Sequence, residues 1–453
     1  MQTTSQIPRS KAIIFRVVMA VLMASVAAGL LEMGSLLVYR LIFGKALSRA
    51  EIQSRLVVTQ ASPEETPKQV TGENPFIRSH ILHPYLGFVA NPGTYVEDWE
   101  FSRNGAVITI NEQGFPGPSP LMKRQKNSVN ICILGGSFAM NFYLDSRDTL
   151  EAELKKHDFF RNKAVHTTVL AMSGWKQPQQ LLGLSYMLVQ GAEFDVVVNL
   201  DGFNEVALPA AENVPAQVYS LYPRSWPAYA SRSMLPDPVL VKLSELAKLR
   251  LEARQRKRFY ASALLRHSNF CLLLFDVLSR RAENRIRREE AMLAQLMNQE
   301  TQRRTPEVAG PTESFRDEDE FFQRMADFWS QSSAQMSQLC RANGTVYLHF
   351  LQPNQYVPGS KPMGPAERQV ALVEGDNSFK SAVSKGYPFL VRNGAKLREA
   401  GVDFEDLTMI FKDVAEPLYE DTCCHVNKRG NDMIAAEIAT KIITDYPARL
   451  HPQ

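Results

Sequence analysis

Four short segments, far apart in the chain, carry residue types that together suit one hydrolytic site. Gly135-Gly136-Ser137 closes one apolar run, Ser173-Gly174 a second, Gly202-Phe203-Asn204-Glu205 a third, and His425 precedes the last helical stretch. A serine hydroxyl is a poor nucleophile until a base takes its proton and hydrogen-bond donors stabilise the oxyanion formed on attack. Ser137 offers the hydroxyl, the Ser137 and Gly174 N–H groups with the Asn204 amide offer the donors, and His425 offers the base. Asp421, four residues before His425, is placed to hold the imidazole tautomer. Among the other histidines, His349 lies inside an apolar strand and reads as buried and hydrogen-bonded, while His80, His83, His157, His166, His267 and His451 read as surface or loop residues.

These residues need a scaffold that brings strand ends together. Val129–Leu134, Thr167–Ala171, Asp195–Leu200 and Thr345–Leu351 are compact apolar runs typical of buried parallel strands. Helical patterns alternate with them: a capping box at Asp148-Thr149-Leu150-Glu151 opens a helix to about His157, Pro178–Gln190 has proline at its start and Gly191 beyond its end, and Ser314–Cys340 is amphipathic. A strand-like Asp406–Phe411 and a helix over 428–444, with Asn427 as its cap, close the chain. Alternation of this kind predicts an α/β fold with a parallel sheet, and such sheets place their sites at the carboxyl ends of the strands.

The 453 residues, 45% of them hydrophobic, exclude general disorder, and a net charge of +3 points to no nucleic-acid partner. From Val17 to Tyr39 the only formal charge is Glu32, and 23 residues of helix span about 34 Å, enough for a bilayer core of about 30 Å. This predicts an uncleaved membrane anchor, because the apolar run continues past the small-residue stretch Ser25-Val26-Ala27. Basic residues flank it on both sides, so charge does not set its orientation. Glu32 reads as an acid that reaches the headgroups or a partner helix.

The expected organisation is a tail at 1–11, the anchor at 12–43, a linker at 44–76 and an α/β domain at 77–453 with a helical insertion at 206–313. Within the insertion, Lys248–Arg304 carries 14 Lys/Arg against 6 Asp/Glu around the apolar run Phe270–Leu278. That pattern suits a solvated helical cap, an anionic-lipid surface or a protein partner. Five cysteines make no disulfide framework; Cys423-Cys424 beside His425 fails the ligand count for metal, and no cofactor motif is present.

The arrangement resembles the SGNH/GDSL hydrolase superfamily over roughly 83–205 and 345–445. Gly135-Gly136-Ser137-Phe138-Ala139 matches its first block, Gly174 its second-block glycine, Gly202-Phe203-Asn204-Glu205 its G-x-N-D block, and Asp421 to Gly430 its final D-x-x-H block. The resemblance implies a flavodoxin-like sheet flanked by helices, Ser137 as nucleophile, Gly174 and Asn204 completing the oxyanion hole, and His425 as base. Two positions depart from the pattern. Gly136 stands where the family has its Asp, as in membrane-anchored bacterial members, and Thr422, not Asp421, stands three residues before His425. What is implied is an ester hydrolase or O-acyltransferase on the outer side of a bacterial inner membrane, acting on acyl groups of envelope polysaccharide. The alternatives are a noncatalytic assembly protein that uses the basic insertion, and a lipase or thioesterase with Phe270–Leu278 as an interfacial lid.

Overall fold

The computed structural model describes residues 9–56, 79–95, 108–233, 237–301, 306–373, 375 and 377–450. Of the linker expected at 44–76, residues 57–76 lie outside them, as does His451, while Arg49–Leu56 is helical. In chain order come α1 (Arg9–Phe43), α2 (Arg49–Leu56), two antiparallel hairpins (His80–His83 with Gly87–Ala90, Gly93–Tyr95 with Ile108–Ile110), β1 (Ser128–Gly135), α3 (Ser137–Lys155), β2 (Ala164–Ala171), α4 (Gln179–Val189), β3 (Val196–Asp201) and α5 (Phe203–Leu208). There follow α6 (Asp237–Tyr260), α7 (Asn269–Thr301), α8 (Glu318–Ala342), β4 (Val346–Leu351), α9 (Ser378–Glu399), β5 (Asp403–Asp406) and α10 (Lys428–Leu450). The chain divides into two compact units: Met1–Gly72 with Met234–Arg303, and Glu73–Ser233 with Arg304–Gln453.

The larger unit is built on a parallel five-stranded sheet in the order β2-β1-β3-β4-β5. Every residue of β1, β3 and β4 is buried, as parallel strands covered on both faces require. The chain leaves β1 towards β2 on one side and returns to β3 on the other. That reversal opens a crevice at the carboxyl ends of β1 and β3, where doubly wound sheets bind their ligands.

Three local readings are corrected by the structure. The helix expected from Asp148 begins at Ser137, eleven residues earlier, because Phe138, Phe142 and Tyr143 bury their side chains in the core and carry the helix straight out of the strand turn. The last strand is Asp403–Asp406, and Thr408–Phe411 is turn. His80, read as a surface residue, is buried against Phe88.

In the smaller unit, α1 contains a stretch, Ile13–Phe43, long and apolar enough to cross a membrane. Its residues are exposed up to Leu31; beyond that Glu32, Ser35, Tyr39 and Phe43 recur at helical spacing on a face that is covered. The Glu32 carboxylate accepts from the Ser268 hydroxyl and, at 2.7 Å, from the Asn269 N–H, and so caps the N-terminus of α7. Seven residues further along each helix, Tyr39 Oη donates to Asp276 at 3.1 Å, so the two helices run side by side in the same direction. Leu272, Leu273 and Phe275 bury against Tyr39, Ile52 and Leu56. The run Phe270–Leu278 therefore spends much of its apolar surface inside its own unit, which removes the open face an interfacial lid would need.

Asp276 is fully buried and is paired with Arg55 and with Arg280 Nε at 2.9 Å. Removing the carboxylate takes its acceptor from Arg280 Nε and from the Tyr39 hydroxyl, and leaves Arg55 its pair with Glu283. Asp276→Ala should cost about 3 kcal/mol, read as faster amide exchange in the first turns of α7.

Candidate active site

Gly135 ends β1 with φ +154°, and a Cβ there would lie 2.3 Å from the Leu200 carbonyl oxygen, so the strand can turn this sharply only with glycine. At Gly136 the constraint is space: a Cβ would sit 2.2 Å from Asn204 Nδ2. The two glycines thus bring the Asn204 amide against the backbone just before Ser137. Ser137 is the first residue of α3. Its N–H belongs to the first turn, whose donors have no partner within the helix and face any negative charge placed there.

His425 Nε2 lies 2.8 Å from Ser137 Oγ, and His425 Nδ1 lies 2.5 Å from Asp421 Oδ2. A carboxylate accepts, so the imidazole proton sits on Nδ1 and Nε2 is left to take the serine proton. The one-residue displacement of Asp421 is absorbed by a turn in which its other oxygen, Oδ1, accepts the N–H groups of Cys423, Cys424 and His425 at 2.9, 3.0 and 3.2 Å. Burial pushes the Asp421 carboxyl up, but the hydrogen bond and charge of His425 and the backbone N–H groups outweigh it and bring it down to about 2.

The other two expected residues also fall at this end of the sheet. Gly174, with φ +76°, follows β2, and Asn204 opens α5 after β3. Asn204 Nδ2 donates to the Trp175 carbonyl at 2.7 Å, which fixes the amide plane and leaves its second hydrogen for a ligand. The hairpin strand Gly87–Ala90 and its turn hold this segment from behind, through Trp175 Nε1 to the Phe88 carbonyl at 3.0 Å and Gln179 Nε2 to the Leu86 carbonyl at 2.8 Å.

Sequence places the polar loop after β4 at this end of the sheet, but the supporting contacts of several residues have no sequence signal. Asn354, Gln355 and Tyr356, on the loop after β4, donate to the Cys423, Asp421 and Thr422 carbonyls at 3.1, 3.0 and 2.8 Å and hold the histidine loop from outside. Asn431 of α10 joins the Asp145 carboxylate of α3 to the Val426 carbonyl, and Asp432 accepts from Ser146 and Thr149 of α3. The helix that starts at the serine is thereby bolted to the helix that follows the histidine.

Beneath the crevice Asp201 accepts from Trp329 Nε1 at 2.7 Å, His349 Nε2 at 2.9 Å and Asn199 Nδ2 at 2.9 Å. Burial raises its carboxyl, and the charge and hydrogen bond of His349 more than reverse this. Glu205 goes the other way: burial and the Asp201 charge push its carboxyl well up. It accepts from the Gly202 N–H at 2.9 Å and Gln180 Nε2 at 3.0 Å, tying the turn that presents Asn204 to α4. A polar Gln-x-x-Gln at 177–180 in an otherwise apolar helical stretch was the available signal.

Cys423, Cys424 and His425 place three possible metal-ligand atoms within 4.8 Å of one another. Both imidazole nitrogens are already engaged by Asp421 and Ser137, so a metal would have to displace one of these partners.

The larger unit thus presents these segments at the carboxyl ends of a doubly wound parallel sheet. Among solved structures the chain is similar to a GDSL-like lipase from Bacteroides thetaiotaomicron VPI-5482, with 12% identity, a TM-score of 0.32, and coverage of 71% of this chain and 91% of that one. It is also similar to an acetyl xylan esterase, with 11% identity, a TM-score of 0.33, and coverage of 69% and 100%. No family model matches the sequence, and neither does any curated protein. The chemistry resides in the site's own geometry.

Proposed function

We propose that the chain is a serine-dependent acyl-ester hydrolase or O-acyltransferase, and the observation that carries this is the unbroken relay from Ser137 Oγ through His425 to Asp421 at 2.8 and 2.5 Å. Ser137 Oγ attacks the ester carbonyl as His425 Nε2 takes its proton. The oxyanion forms between the Ser137 N–H, the Gly174 N–H and the free hydrogen of Asn204 Nδ2. His425 returns the proton to the departing alcohol, leaving an acyl group on Ser137. Water or a second hydroxyl, activated by the same imidazole, then takes the acyl group and restores the serine.

The substrate we propose is an acylated envelope polysaccharide met on the outer side of the membrane that α1 crosses. An apolar N-terminal helix of membrane-spanning length supports the membrane setting. A cleft of about 1070 Å³, which shares Gln355 and Tyr356 with the support of the histidine loop, supports an extended substrate. Exposed Arg254 and Arg258 on α6 suit anionic headgroups or an acidic protein partner.

Labelling of Ser137 by a fluorophosphonate tests the reading directly, since only an activated serine reacts. Asn204→Ala should lower kcat for a small acetyl ester by about 10²–10³-fold with KM little changed, as loss of one oxyanion donor does. A change confined to KM would remove Asn204 from the oxyanion hole.

A further inference from the structure

The two cysteines before His425 play no part in the ester chemistry, yet they stand at its most sensitive point. Cys423 Sγ and Cys424 Sγ lie 3.3 Å apart, with Cys424 buried and Cys423 half-buried. Both backbone N–H groups end on Asp421 Oδ1, the carboxylate that orients the imidazole. All five cysteines of the chain are free thiols, and the other three, Cys132, Cys271 and Cys340, are far from these in sequence.

We propose that Cys423 and Cys424 form a modification site, a vicinal dithiol that a small disulfide oxidises to a Cys423–Cys424 disulfide, switching the neighbouring relay off. The effect on turnover rests on the esterase reading; the thiol chemistry does not. The Cys424 thiol donates to Cys423 and brings its pKa below the ordinary thiol value, while burial pushes that of Cys424 well up, so the less buried Cys423 is the first to attack. Its sulfur bonds to one sulfur of the disulfide R–S–S–R, and RS⁻ leaves and takes up a proton. Cys424 then loses its proton and attacks Cys423 Sγ, expelling the second RSH. The protein gives up two electrons and two protons, and the small disulfide becomes two thiols.

A disulfide bond is about 2.05 Å long, so closure draws the sulfurs together by more than an ångström through a ring that contains the 423–424 peptide. That peptide carries one of the N–H groups on Asp421 Oδ1, and the very next peptide carries the His425 N–H. A misplacement of about 1 Å at such a site costs about 10²-fold in rate.

The test treats the detergent-solubilised full chain with oxidised glutathione and maps its peptides by mass beside turnover of a small acetyl ester. Loss of two hydrogens in the peptide holding Cys423 and Cys424, a fall in turnover of about 10²-fold and recovery with a dithiol reductant are expected. Cys423→Ser, at the less buried position, should show the same turnover before and after oxidation. The proposal is overturned if that peptide keeps both hydrogens, if it ends as a mixed glutathione adduct, or if oxidised and reduced protein turn over equally. Should the reduced protein turn over no ester at all, the esterase reading fails, and the peptide mass alone still decides whether the dithiol closes.

Discussion

Ser137→Ala should abolish turnover of a small acetyl ester, with a loss of at least ~10⁴-fold, and should abolish labelling by a fluorophosphonate. The serine is half-buried at the first position of α3, and its hydroxyl's partner is His425, so the fold loses one hydrogen bond and little else. His425→Ala should be equally damaging. The two groups act as one proton-transfer unit, so the double variant should be no worse than either single one. Equal turnover by the wild type and Ser137→Ala would sink the enzyme reading.

Asp421→Asn should cost about 10³–10⁴-fold, somewhat less than removal of the histidine. Its two oxygens face different demands: Oδ2 meets His425 Nδ1, and Oδ1 meets three backbone N–H groups. An asparagine satisfies only one side. With its oxygen towards the backbone, its NH₂ faces Nδ1 and drives the imidazole proton to Nε2, where the base cannot accept from Ser137. With the amide reversed, the NH₂ opposes the three backbone donors and the loop must shift. The aspartate itself, held at about 2, stays ionised at any pH where ester turnover would be assayed. The same depressed carboxyl adds stability that is fully present above the ordinary carboxylate value of about 3.9 and is lost as pH falls through about 2. An unchanged rate in Asp421→Asn would show that another group orients the histidine.

Much of this geometry was legible because parallel strands buried on both faces write themselves as unbroken apolar runs, as Val129–Leu134 and Asp195–Leu200 do. The expected site residues were legible because each stands where such a run ends in glycine or, for His425, just before the last helix. Tertiary packing hid the rest. Asp148-Thr149-Leu150-Glu151 has the composition of a helix start but lies within α3, whose beginning is set by core contacts of Phe138 and Phe142. The helix α9 went unread since Gly386, Pro388 and Gly394 interrupt its pattern; the glycines are there because a Cβ would strike Val206 and Phe404. The opposed shifts of the Asp201 and Glu205 carboxyls have no local signature, because they arise from His349 on one side and burial on the other.

The Glu32 cap changes what kind of object the N-terminal helix is. A tether can be exchanged for any apolar helix of the same length, but this one supplies the acceptor for the first N–H of α7, the hydroxyl for Asp276 and part of the cover for Leu272 and Phe275. Cutting the chain just after Phe43 would release a protein whose α7 begins with open donors and a bare apolar flank. For the smaller unit, then, losing the N-terminal helix and losing its fold are the same event, and a generic apolar helix of the same length would not complete it.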